Sequence, residues 1–189
     1  SSFLLDLGLN VSFPQDNDIV VDQCKIEEKF TNIEDIDNHI IEWQIENDFQ
    51  LILRNKNIYS KNILLLSEKN NFINFDQPKI KPELLEKMFH SIGQNINDFF
   101  IINIDVEKLI ENYTKKINKI LKLYFTILNP KIFIDMCSDD LKKFFNVDNL
   151  NLNFDYIKIS SVSNIMKNQS LKREAWVQLK LLKAKLDEF

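Results

Sequence analysis

At 189 residues, with 44% hydrophobic and 11% aromatic content, the chain holds enough apolar material for one sizeable core; a single domain spanning 1–189 is expected, with 1–30 as an N-terminal arm. Glycine and proline number only 2 and 4, which excludes Gly/Pro-rich linkers and a glycine-rich phosphate cradle, and with the cradle dinucleotide and P-loop functions. A formal net charge of -4 argues against a wholesale electrostatic grip on nucleic acid, although a local basic face remains compatible with it.

The chain opens with Leu4-Leu5, Leu7 and Leu9 and then a Pro14-Gln15-Asp16-Asn17-Asp18 turn cluster, which predicts a short helix and a loop. Ile36, Ile40, Ile41, Trp43, Ile45, Phe49 and Leu53 recur near helical spacing and predict a helix from about Ile33 to Leu53, with Asn47-Asp48 as a potential break. Asn55 to Lys61 is polar and reads as loop. Four short apolar runs follow, Ile63–Leu66, Phe99–Ile104, Lys131–Met136 and Tyr156–Ile159. They are too short for buried helices and alternate with amphipathic segments, so they predict parallel strands joined by helices.

The first of those helices covers Glu83 to Phe89, opened by Pro82 and stopped by Gly93. A longer one runs from Val106 to Leu128, with Leu109, Tyr113, Ile117, Ile120, Leu121, Tyr124 and Leu128 on one face. Ser138 is placed to cap a helix over Asp139–Phe145. Ser170 is placed to cap the last, whose stripe is Leu171, Ala175, Leu179, Leu182 and Leu186; Trp176 sits beside that stripe and is expected to pack against the sheet. The β-α-β-α order implies a three-layer α/β/α sandwich around a central, mainly parallel four-stranded sheet.

No apolar run approaches the roughly eighteen residues that span a bilayer, and no basic segment precedes an apolar one at the start, so a soluble, cytoplasmic protein without a membrane partner is expected. The two cysteines, Cys24 and Cys137, are far apart and outside any C-x-x-C spacing. They encode no disulfide framework and no local zinc or iron-sulfur site, and read as buried free thiols; no metal or other cofactor is expected. His39 and His90 belong to no ligand cluster.

The segment Asn168-Gln169-Ser170-Leu171-Lys172-Arg173-Glu174-Ala175-Trp176, running into Val177-Gln178-Leu179-Lys180, resembles the closing helix of the iron-sulfur class of uracil-DNA glycosylases, which reads roughly L-K-R-x-A-W-x-D-L. Other segments follow in the same order. Leu4-Leu5-Asp6-Leu7-Gly8-Leu9 resembles a leading helix, and Ile63-Leu64-Leu65-Leu66-Ser67-Glu68 the strand entering a G-E-x-P-G loop. Leu84-Leu85-Glu86-Lys87-Met88 is similar to an L-L-D-x-M helix, Phe100-Ile101-Ile102-Asn103-Ile104 to the strand whose Asn reads the base, and Asn129-Pro130-Lys131-Ile132-Phe133-Ile134 to an R-P-K-V-I-x strand.

The departures from the family pattern fall on the functional loops. Lys69-Asn70-Asn71-Phe72 follows Glu68 where the family has small residues and proline, and side chains there would crowd an extruded base. The histidine-proline-serine motif falls on Ser161-Val162-Ser163, so no imidazole stabilises charge on a departing uracil, and the four cluster cysteines are missing.

What the resemblance implies is a remnant pocket: Glu68 to position or deprotonate water, Asn103 to read a pyrimidine edge, Ser161 at the family histidine position, and Phe72 or Phe75 to stack a base. The plain structural reading makes Glu68 and Asn103 ordinary strand-exit residues and the phenylalanines core. From Tyr156 onward seven Lys or Arg face three acids, and among them Lys167, Lys172 and Arg173 fall where the family contacts the DNA backbone. The expected function is a non-catalytic, DNA-associated or scaffolding factor in DNA repair or replication, with DNA or a repair or replication protein as partner. Two alternatives stand beside it, a divergent active glycosylase that cleaves the N-glycosidic bond of a flipped base and a protein-binding structural module.

Overall fold

The computed structural model describes residues 30–47, 52–54, 62–68, 83–105, 111–137 and 153–189. By contact the chain divides into two compact units, Ser1–Thr31 and Asn32–Phe189, and the described architecture is that of the second. The expected N-terminal arm, Cys24, Phe72 and Phe75, and the helix expected over Asp139–Phe145 lie outside the described residues.

Asn32 opens α1 (Ile33–Glu46): its side chain accepts from the Asp35 N–H at 2.9 Å, and Glu34 and Asp35 meet the positive end of the helix dipole. The helix stops short of the expected Leu53. The Asn47 side-chain amide donates to the Trp43 carbonyl at 2.7 Å, the local competition for backbone groups that makes Asn a poor continuation of a helix. Ile52–Arg54 is then an edge strand, β1, instead of a last helical turn.

The four apolar runs form β2 (Ile63–Glu68), β3 (Phe100–Ile104), β4 (Ile132–Asp135) and β5 (Asp155–Lys158), all parallel to one another. The sheet order is β1-β3-β2-β4-β5, with β1 added antiparallel along the outer edge of β3. Helices α2 (Glu83–His90), α3 (Glu111–Leu128), α4 (Val162–Lys167) and α5 (Gln169–Leu186) complete the α/β/α sandwich expected from the sequence. Gly93 stops α2 by adopting φ +76, which lets its N–H reach the His90 carbonyl at 2.9 Å and the Gln94 N–H reach back to Phe89 at 3.0 Å.

Strand pleating splits the sheet into two differently packed faces. On the first, Ile63, Leu65, Ile101, Ile132, Ile134 and Ile157 meet the buried sides of α2, α4 and α5 in a largely aliphatic core. On the second, α3 lays Tyr124 and Phe125 onto Phe100 and Phe133, with ring centroids 5.5 and 4.8 Å apart. Phe154 and Tyr156 extend that aromatic layer, each about one ring width from Phe133 at 5.6 and 5.5 Å. Helix α1 packs against α3, through Tyr124 Oη donating to Asp37 at 2.6 Å and Trp43 edge-on to Tyr113 at 5.8 Å.

Two details of α5 depart from expectation. Asn168, not Ser170, caps it, its side chain accepting from the Ser170 N–H at 2.9 Å. Ala175, Leu179 and Leu182 are buried as the stripe requires, but Trp176 is 42% exposed. One residue is about 100° of helical turn, enough to carry the indole off the stripe and onto the surface.

Candidate functional site

In an open parallel sheet the ligand crevice forms at the carboxyl ends of the strands, where the strand order reverses. Here the chain passes from β2 to β3 on one side and then to β4 on the other, so the reversal lies between β2 and β4. The residues at those carboxyl ends are Ser67 and Glu68 on β2, Asn103 on β3, Asp135 on β4 with Cys137 just after it, and Lys158 on β5 with Ser161 just after it. The loops that leave β2, β3 and β4 lie outside the described residues.

The register separates the expected site residues. Ser67 is level with Asn103, and Glu68 with Ile104, so Asn103 lies on the aliphatic face and Glu68 on the aromatic one. Ser161 shares the Asn103 face but stands three strands away, on the order of 14 Å at the usual strand spacing. Its hydroxyl serves the fold: it caps α4 by accepting from the Asn164 N–H at 3.4 Å and lies 3.1 Å from Ser163 Oγ. Asn103 is 2% exposed and its carbonyl oxygen has no hydrogen-bond partner. Among the described strand-end residues expected at the site, Asn103 is the one with a buried oxygen left unsatisfied.

Sequence reasoning missed the cluster beside the reversal point, at the carboxyl ends of β4 and β5. Asp135 is buried, with side-chain exposure of 6%, and its carboxylate has three contacts. Oδ1 pairs with Lys158 Nζ at 3.1 Å and accepts from the Cys137 N–H at 2.9 Å, and Oδ2 accepts from Tyr156 Oη at 2.6 Å. Lys158 Nζ also donates to the Cys137 carbonyl. Burial pushes the Cys137 thiol well above its ordinary range, and the negative charges of Asp135 and then Glu68 push it further, against the smaller opposing effect of Lys158. A neutral buried thiol and a carboxylate saturated with donors are poor choices for nucleophile and base, so this cluster ties β4 to β5. The alternation that could have disclosed it is Tyr156 and Lys158 on one strand facing Asp135 on the next.

A second surface lies on the other side of α5. Lys167 ends α4, and Lys172 and Arg173 follow just inside α5; all three are exposed, and α5 carries no acid in its first turn. Against them opens a groove of about 290 Å³ between α2, α4 and α5, floored by Leu84, Met88, Ile165 and Leu179 and walled by Trp176. Lys87 of α2 and Lys172 of α5, both exposed, line it as well. Among the described residues no group of three or more His, Cys, Asp or Glu is placed to hold a metal ion, and no helix is long and apolar enough to cross a membrane. Compared with protein-family models, curated proteins and solved structures, the chain matches none.

Proposed function

We propose that this protein is a non-catalytic, uracil-DNA glycosylase-like scaffolding or DNA-associated factor in DNA repair or replication. The observation that carries the reading is the division of labour just described. The polar side chains at the strand ends are split between two faces or committed to capping and strand-to-strand ties, while the exposed chemistry is basic and apolar and gathers around α4 and α5. Base excision needs a stacked, edge-read base and a donor that meets the developing charge, and Ser161 is occupied as a helix cap where the resemblance calls for that donor.

The test is uracil release from single- and double-stranded oligonucleotides. Turnover is expected to be absent, or about 10²–10³-fold or more below an intact glycosylase, the usual cost of losing one preorganised charge-stabilising donor. Turnover that Glu68→Gln or Asn103→Ala abolishes would establish the divergent-enzyme reading, which the unpartnered Asn103 oxygen favours. DNA association is tested separately, by a salt series on wild type and on the Lys167, Lys172 and Arg173 triple-alanine variant. Each phosphate contact removed lowers the salt slope by about one unit. An unchanged affinity and slope would place DNA contact elsewhere.

A further inference from the structure

The groove between α2 and α5 has a shape and a charge that select an occupant. Its volume of about 290 Å³ sits at the lower end of the roughly 300–1,000 Å³ typical of small-molecule pockets, room for one or two large side chains. Its floor is aliphatic. The uncharged polar residue on its lining, Ser91, already donates its hydroxyl to the Met88 carbonyl at 2.5 Å. A nucleobase seated there would bury the polar edge it needs to satisfy, whereas an apolar side chain would leave nothing unsatisfied. Among the described residues the lining carries lysines and no acid.

Helix α5 continues that bias along the groove's border. Lys172, Trp176 and Lys180 are four residues apart and form one stripe, and Lys180 Nζ lies 5.4 Å from the Trp176 ring centre. Glu174, the acid nearest in sequence, is turned about 200° from Lys172 and faces elsewhere. An exposed indole between two ammonium groups, beside an apolar trough, matches the hot-spot composition of protein interfaces and the helix-in-groove mode of peptide capture.

We propose that this groove docks an acidic, amphipathic helix of a partner protein, seating a bulky apolar side chain on Leu84, Met88 and Leu179 against Trp176, with its carboxylates along Lys172 and Lys180. The proposal deepens the scaffolding reading and rests on it. The test uses the full chain and two fluorescein-labelled model helices sharing one apolar stripe of Phe and Leu at i, i+4 and i+7, one flanked by Glu and the other by Lys. Binding is read by anisotropy. The Glu-flanked helix is expected to bind and the Lys-flanked one to fail. Trp176→Ala should weaken binding about tenfold or more, as loss of an aromatic anchor does. Lys172→Glu combined with Lys180→Glu should switch preference to the Lys-flanked helix, a gain that a misfolded variant cannot mimic.

Equal binding of both helices, indifference to Trp176→Ala, or displacement of the helix by oligo(dT) would overturn the proposal, the last by assigning the surface to single-stranded nucleic acid. Uracil release is measured on the same preparation. Release together with selective capture of the Glu-flanked helix removes the non-catalytic reading and supports the groove, whereas no release and no capture overturns the groove alone.

Discussion

The two faces of the sheet are built from the same strands yet use their side chains differently. The face under α3 is aromatic and closed: Phe100, Phe125, Phe133 and Tyr124 interlock, and at its carboxyl end Asp135 is held by Lys158, Tyr156 and the Cys137 backbone. The face under α2 and α5 is aliphatic, leaves the Asn103 oxygen unpartnered, and borders a groove with a half-exposed indole. The unpartnered polar oxygen and the exposed indole thus lie on the side of α2 and α5, whereas the carboxylate at the end of the aromatic face is taken up by its donors.

The largest expected break in this contrast is Phe133→Ala. The ring is fully buried and meets Phe125, Phe154 and Tyr156, so its loss should cost about 3–5 kcal/mol, read as a shift in denaturant midpoint. A cost no larger than that of exposed positions would show that the aromatic face is loosely packed. Next comes Lys158→Met, which leaves the buried Asp135 without its counterion; the expected loss is about 3 kcal/mol at neutral pH. A loss no larger than that of an exposed lysine would mean that Tyr156 and the Cys137 N–H alone hold the carboxylate.

A smaller effect is alkaline. Burial and the neighbouring carboxylates keep the Cys137 thiol protonated in the fold at pH values where the unfolded chain's thiol ionises. Its contribution to stability is therefore intact below about pH 8.5 and is lost as pH rises from there towards the higher folded value. Cys137→Ala should flatten the alkaline fall in melting temperature, and an unaltered fall would place the titration elsewhere. A partial loss belongs to Trp176→Ala, about 1–3 kcal/mol and below that of Phe133→Ala, for a side chain that is 42% exposed. A loss comparable with Phe133→Ala would make the indole a core group and close the groove as a recognition surface.

The parallel sheet was legible because each of its strands is an apolar run bounded by polar segments, and the last helix because Ala175, Leu179 and Leu182 keep a strict stripe. Ile52–Arg54 was not, since three apolar-rich residues just beyond a helical pattern read as one more turn of it until Asn47 is seen closing the helix. The Asp135 cluster was hidden for a different reason. Its members are separated along the chain by a long segment, and only the register that sets Asp135 level with Lys158 brings them together. Trp176 was misplaced because proximity to a stripe in sequence does not fix which side of the helix a residue takes.

The position of β2 carries a consequence for how the chain acquires its fold. It is the first of the parallel strands to emerge during synthesis, yet it lies between β3 and β4, both of which arrive later. Until Phe100–Ile104 and Ile132–Asp135 dock on either side, Ile63–Leu66 has two unpaired edges and an apolar surface that the finished molecule buries completely. Non-local pairing of this kind is slow, and exposed strand edges invite association between incomplete chains. Substitutions that delay β3 or β4 should therefore lower the yield of folded protein more than they lower the stability of the molecules that reach it.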